Sequence, residues 1–239
     1  YSSKPQLAYA DAFLHDADGG DATCFPTAEL GVPRTAWADM EDSEVPSSWE
    51  DLAEIWRKKQ LEYTWLQNIL NCQTDFRDIT SKALDFALEE MALEQDPKLR
   101  ETLLDLYWTS EVYPEVGQIL KELNVLNINL AILSNGTLEM LLSGCSSTGI
   151  NKYFDFIVSV DEVGIFKPDK RVYELVDSKM GYKTNEVLFV SSNGWDIVGA
   201  TKYGFSTVWV NRGKKPVERF PWKAKYEFSD LTQLIDIFQ

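Results

Sequence analysis

The chain has one histidine, His15, in 239 residues, and three cysteines that form no Cys-x-x-Cys pair. Imidazole–thiolate metal sites need several such ligands, so a zinc centre is excluded as a first reading. An odd cysteine count (Cys24, Cys72, Cys145) without paired spacing also argues against a disulfide framework and for a reducing compartment. No apolar run approaches the roughly 20 residues needed to span a membrane, so membrane insertion is not expected. Basic charge is scarce as well. Lys and Arg number 23 against 38 acids, for a net charge of −15, which is the wrong sign for a phosphate-backbone partner. Nucleic-acid binding is therefore not expected, and the excess acid reads as solubility. The chain starts at Tyr1 rather than Met, which leaves a removed targeting segment open. With that reservation a soluble, intracellular setting is expected, cytoplasm or organelle interior.

What is present is an ordinary globular composition, 44% hydrophobic and 26% charged. The length suits one domain with an insertion, or two small ones. Residues 1–46 show little periodicity, and only Leu7 to Leu14 reads as a strand. Ser47-Ser-Trp-Glu50 is a capping-box pattern, and Leu52, Ile55, Trp56, Leu61, Trp65, Leu66, Ile69 and Leu70 follow mostly at helical steps. Two more helices are predicted, from Phe76 to Leu93 and from Pro97 to Thr109. Beyond Pro114 helices alternate with short apolar runs at 130–133, 156–160, 187–190 and 207–210. Uninterrupted apolar strands are what a sheet covered on both faces requires. The alternation predicts right-handed crossovers and a doubly wound parallel α/β sheet. The expected organisation is a core from 1–46 and 111–239, with a helical cap at 47–110. Gly181 and Gly204 fall where helix C-caps are expected.

Polar residues follow the strands in three places: Ser134 and Asn135, Lys167, and Ser191, Asn193 and Asp196. In a doubly wound sheet the carboxyl ends of strands form the ligand rim. Each residue also has a bland reading. Ser134 and Asn135 could cap a helix, Lys167 could be a surface cation, and Asp196 could be either an N-cap or a base that orients water. Arg57, in the first cap helix, could receive an anion or snorkel to solvent.

Taken together, these residues resemble the L-2-haloacid dehalogenases of the haloacid dehalogenase superfamily. The matching stretches are Trp56-Arg-Lys-Lys-Gln-Leu-Glu-Tyr-Thr-Trp-Leu66, Ala131-Ile-Leu-Ser-Asn-Gly136, Lys167-Pro-Asp-Lys-Arg-Val-Tyr173 and Leu188-Phe-Val-Ser-Ser-Asn-Gly-Trp-Asp196. The resemblance covers about three quarters of the chain. It implies a haloacid dehalogenase-like core with an inserted helical cap, and a hydrolase that cleaves the carbon–halogen bond of short 2-haloacids without a cofactor. An aspartate after the first strand would attack C2 with inversion, and water would hydrolyse the ester. By the same resemblance Ser134 and Asn135 are substrate-carboxylate and halide-site positions, and Arg57 receives the halide. Lys167 holds the nucleophile ionised. Ser191, Asn193 and Asp196 position nucleophile, water and lysine, and Leu61, Phe76 and Trp195 form the apolar wall.

Two departures stand out. Lys58 replaces a usual glutamine, which implies a disturbed pocket. The nucleophile motif, Asp-x-Tyr-Gly-Thr-Leu in the family, has no full counterpart. Asp11, in Asp11-Ala-Phe13, follows an apolar stretch but lacks Gly-Thr. Asp16, in Asp16-Ala-Asp-Gly-Gly20, keeps the spacing but lacks the threonine and the apolar strand, and its bland reading is an acidic turn. Asp11 is preferred for its strand. Magnesium is not expected, because Ser191-Ser-Asn193 lacks the extra acid of the superfamily's phosphatases, and that also sets a phosphate-ester hydrolase behind. An inactive relative kept as a structural or interaction subunit stays the main alternative, and a homodimer or a larger complex stays open.

Overall fold

The computed structural model describes residues 6–9, 49–105, 108 and 112–239, with backbone only at 6–9, 49 and 50. Asp11, Asp16, His15, Cys24 and the Ser47 capping box lie outside the described residues. Six parallel strands form one sheet in the order β3-β2-β1-β4-β5-β6. They are β1 (Gln6–Tyr9), β2 (Leu130–Ser134), β3 (Phe156–Ser159), β4 (Val187–Ser191), β5 (Ser206–Val210) and β6 (Tyr226–Phe228). The four strands read from apolar runs lie within a residue or so of their predicted bounds.

Every residue of β2 and of β4 is buried. Side chains alternate between faces along a strand, so one apolar run supplies two cores. Leu130 and Ile132, with Leu188 and Val190, join a cluster under α4 (Val116–Val125), α5 (Leu138–Ser147) and α8 (Leu234–Phe238). Ala131, Leu133, Val187 and Phe189 join a second cluster under α6 (Lys170–Met180). That cluster continues without a break into α1 (Trp49–Leu70), α2 (Phe76–Glu90) and α3 (Pro97–Asp105) through Leu52, Trp56, Phe76, Ile79 and Leu103. The helices of the cap thus share apolar contact with one face of the sheet.

Some details differ from the sequence expectation. The buried stripe of α1 is Leu52, Trp56, Gln60 and Thr64, one residue per turn, whereas Ile69 and Leu70 are exposed. Polar side chains can occupy that stripe because both are hydrogen-bonded: Gln60 Nε2 donates to Thr80 Oγ1, and Thr64 Oγ1 to the Leu61 carbonyl. Helix α2 stops at Glu90 rather than Leu93, because Ala92 takes a left-handed φ of 58° and Leu93 N bonds back to the Leu88 carbonyl. The end predicted for the third helix lies outside the described residues beyond Asp105. Gly181 (φ 72°) and Gly204 (φ 120°) do close α6 and α7 (Gly194–Tyr203). Strand β6 and helix α8 were not anticipated. Among the described residues no helix is long and apolar enough to cross a membrane.

Strand β1 sits at the centre of the sheet. The chain leaves it toward β2 and β3 on one side, then crosses to β4, β5 and β6 on the other. Such a reversal is the switch point at which open α/β sheets bind ligands. Its carboxyl rim is bounded by Ser134 at the end of β2 and Ser191 at the end of β4.

Candidate active site

The rim is organised around a buried ion pair. Lys167 and Asp196 have no solvent exposure, and Lys167 Nζ lies 3.1 Å from Asp196 Oδ2. Two charges removed from water are costly unless their remaining hydrogen-bonding capacity is met. For Asp196 it is: Tyr173 donates its hydroxyl to Asp196 Oδ1 at 2.7 Å, and Ser191 Oγ donates to Oδ2 at 3.1 Å. The ammonium also stands 5.2 Å from the centre of the Phe189 ring, which faces it from β4. Asp196 therefore does not cap α7; Asn193 holds the N-cap position, and Asp196 lies in the first turn with its carboxylate turned inward. The surface reading of Lys167 is equally excluded.

The backbone carrying Lys167 is held from two sides. Asn135 Oδ1 accepts from Lys167 N at 2.9 Å. Asn68, near the end of α1, brackets Phe166: its Nδ2 donates to the Phe166 carbonyl at 2.7 Å and its Oδ1 accepts from Phe166 N at 2.9 Å. Ser134 Oγ accepts from Gly136 N, and Thr137, not Ser134 or Asn135, caps α5. Ser191 Oγ also accepts from Asn193 N at 3.2 Å, folding the β4–α7 turn onto the ion pair.

Across from this rim, Arg57 of α1 is partly buried and reaches Asn193 Oδ1 through NH2 at 3.5 Å. Asn193 is 2% exposed, and its Nδ2 has no partner among the described residues. A buried donor left without an acceptor carries a desolvation cost of about 1–3 kcal/mol, which a bound anion would remove. The wall residues fall as follows: Phe76 is buried and its ring centre lies 6.2 Å from that of Phe166, Leu61 is partly buried, and Trp195 packs edge-on against Trp65 at 6.2 Å. Lys58, where a disturbed pocket was expected, is exposed and, one helical residue on from Arg57, points to another face. A cleft of about 790 Å³ beside Phe166 is lined by Asp75, Glu139, Asp161 and Glu162 against the single cation Arg77, which is the wrong sign for an anion. Among the described residues no group of three or more His, Cys, Asp or Glu could hold a metal ion.

Tyr173 was quoted in the sequence motif but given no role. A tyrosine at a helical core position reads as packing, and the signal that could have raised it is its fixed distance from Lys167 along the Lys-Pro-Asp run. Asn68 carried no such signal.

A buried ammonium–carboxylate pair, flanking hydroxyls and an opposed guanidinium thus meet at the switch point of a doubly wound sheet, where such sheets bind ligands. Comparison with known proteins agrees. A family model for haloacid dehalogenase-like hydrolases matches residues 25–204. An (S)-2-haloacid dehalogenase of Pseudomonas sp. strain YL is 37% identical over 198 residues, 83% of this chain and 85% of that one. (S)-2-haloacid dehalogenase 1 of Pseudomonas sp. strain CBS-3 is 40% identical over 185 residues, 77% of this chain and 82% of that one. The solved L-2-haloacid dehalogenase of Xanthobacter autotrophicus with chloropropionic acid covalently bound superposes with a TM-score of 0.81, at 28% identity, covering 98% of both chains. The chain belongs to the haloacid dehalogenase-like hydrolase family, in its L-2-haloacid dehalogenase branch.

Proposed function

We propose that the protein hydrolyses the carbon–halogen bond of short 2-haloacids through an aspartyl ester, with no cofactor. The observation that carries this reading is the fully buried Lys167–Asp196 pair at the rim, opposed by Arg57 and the unpartnered Nδ2 of Asn193. An anionic substrate with an anionic leaving group calls for cations on both sides of the reacting carbon. A carboxylate nucleophile calls for one of them close by, since an ammonium within about 4–6 Å favours the ionised form.

In the proposed reaction an aspartate oxygen bonds to C2 from the face opposite the halogen, and the carbon–halogen pair leaves as halide toward Arg57. Water then cleaves the ester, giving the 2-hydroxyacid of inverted configuration, a proton and the free aspartate. Ser134 and Asn135 are assigned to the substrate carboxylate and halide, Lys167 to the nucleophile, and Ser191, Asn193 and Asp196 to positioning lysine, nucleophile and water. Leu61, Phe76 and Trp195 are assigned to the apolar wall. Asp11 is the preferred nucleophile. The strand β1 brings the chain to the rim between β2 and β4 and ends at Tyr9, and Asp11 follows two residues later in sequence. The inactive-subunit alternative rests on the incomplete nucleophile motif alone, since the relatives of similar sequence are named as dehalogenases.

The test is halide release from 2-chloropropionate. Asp11→Asn should eliminate it, because no other group forms the ester, while Asp16→Asn should leave it largely intact. The reverse pattern moves the role to Asp16. No release by the unmutated protein from any short 2-haloacid overturns the reading.

A further inference from the structure

A buried amide behind Arg57 has no assigned task. Gln60 is 1% exposed, one turn along α1 from Arg57. Its Oε1 accepts from Arg57 NH1 at 2.7 Å, and its Nε2 donates to Thr80 Oγ1 at 2.8 Å. Which end of an amide faces which neighbour is ordinarily an assignment by network. Here the network decides it. Thr80 has one hydroxyl proton, and it is directed at the Phe76 carbonyl at 2.7 Å. Toward Gln60, then, Thr80 can only accept, so Nε2 must face it and Oε1 must face the guanidinium. Thr80 itself is held in place, at 2% exposure, with Trp56 Nε1 donating to its backbone carbonyl at 2.8 Å.

We infer that Gln60 is a positioning residue: locked by Thr80, it fixes the rotation of the Arg57 guanidinium so that NH2, 3.5 Å from Asn193 Oδ1, is aimed at the rim. The inference rests on Arg57 receiving the leaving halide, as proposed above. A neutral amide suits the task. It orients the guanidinium through one acceptor without cancelling the positive charge that the halide needs. A carboxylate in the same place would orient it equally well and compete with the halide for it.

The experiment compares Gln60→Glu, Gln60→Leu, Thr80→Val and Thr80→Ser, each checked by melting temperature and circular dichroism. The readouts are kcat and KM for 2-chloropropionate, and chloride affinity taken both from product inhibition and from calorimetric titration of the resting protein. Gln60→Glu should weaken chloride binding and lower kcat by about tenfold or more, with a smaller change in KM. Gln60→Leu, which keeps the charge but loses the acceptor, should lower kcat by several-fold and weaken chloride less than Gln60→Glu. Thr80→Val should resemble Gln60→Leu, and Thr80→Ser, which keeps the hydroxyl, should recover most of what Thr80→Val loses. Folded Gln60→Glu and Thr80→Val proteins with unchanged kcat and chloride affinity overturn the inference, since a merely structural amide would move the melting temperature alone. If the unmutated protein releases no halide, the dehalogenase reading fails, and the chloride titrations still decide this one. Unmutated protein that binds no chloride, or a Gln60→Glu variant that binds it unchanged, ends it.

Discussion

Two polar clusters face each other at this site, and they solve opposite problems. On the sheet side, Lys167 and Asp196 are charges with no exposure, held among Tyr173, Ser191 and the Phe189 ring. On the cap side, Arg57 is partly buried and is steadied by a neutral amide, which is in turn locked by a neutral hydroxyl. The difference follows from what each charge is for. A cation that must hold a carboxylate ionised works best where the dielectric is low and its own geometry is fixed. A cation that must receive and then release a halide is better steadied by a neutral group, which orients it without competing for its charge. The buried pair should therefore be intolerant of change in stability and activity together, and the cap cluster in activity more than stability.

The largest effect is expected from breaking the pair on one side only. Lys167→Met leaves the Asp196 carboxylate buried with no counter-charge, and such changes cost about 3–5 kcal/mol. Chemical denaturation should show that loss, and turnover should disappear. Replacing both partners (Lys167→Met with Asp196→Leu) should recover part of the stability and none of the turnover. If the single variant is as stable as the parent, the pair is not the structural centre of the rim.

A smaller effect should come from behind the pair. Gly199, in α7, has no room for a side chain: a Cβ there would overlap the Tyr173 hydroxyl and crowd Pro168. Gly199→Ala should push the Tyr173 hydroxyl off Asp196, at a cost of about 1–3 kcal/mol for overpacking. A companion Tyr173→Phe variant removes the same hydrogen bond and the obstructing oxygen. The double variant should then be more stable than Gly199→Ala alone, although still slow. A Gly199→Ala protein as active as the parent would show that Tyr173 packs without positioning Asp196.

These contrasts also explain what could be read from the sequence. The strands were legible because β2 and β4 are buried on both faces, and two-sided burial leaves an unbroken apolar run. Strand β6 was not, since Tyr226–Phe228 is short and none of its residues is fully buried. Ser191, Asn193 and Asp196 were legible because polar residues directly after an apolar strand stand out against the run before them, whereas Lys167, well beyond the end of β3, was legible only through the Lys-Pro-Asp run. Gln60, Thr64 and Thr80 were hidden by the opposite logic. They occupy buried positions on helices whose pattern was read from apolar residues, and their compatibility with burial depends on partners 20 residues away or on a backbone carbonyl that only the folded chain supplies.

The smallest effect should be found at an ion pair that resembles the first on paper. Lys82 Nζ lies 2.7 Å from Asp78 Oδ2 near the start of α2, closer than Lys167 to Asp196. Its side chains are 61% and 41% exposed, however, so water and salt screen it. The hydrogen bonds from Lys82 and Thr74 hold the Asp78 carboxyl below its ordinary value, outweighing the opposing effect of partial burial. A lowered folded-state value means that the interaction stabilises the fold above the unfolded carboxylate's range. That stabilisation is lost as pH falls through the lower, folded value. Lys82→Met should consequently lower the melting temperature by about one degree or less near neutral pH, and less still in high salt. The gap between variant and parent should close only as pH falls below that lowered folded-state value, where Asp78 is protonated in both states. A Lys82→Met effect as large as that of Lys167→Met, or one that grows in acid, would mean that burial is not what separates the two pairs. The contrast drawn between the sheet rim and the helix surface would then fail at its root.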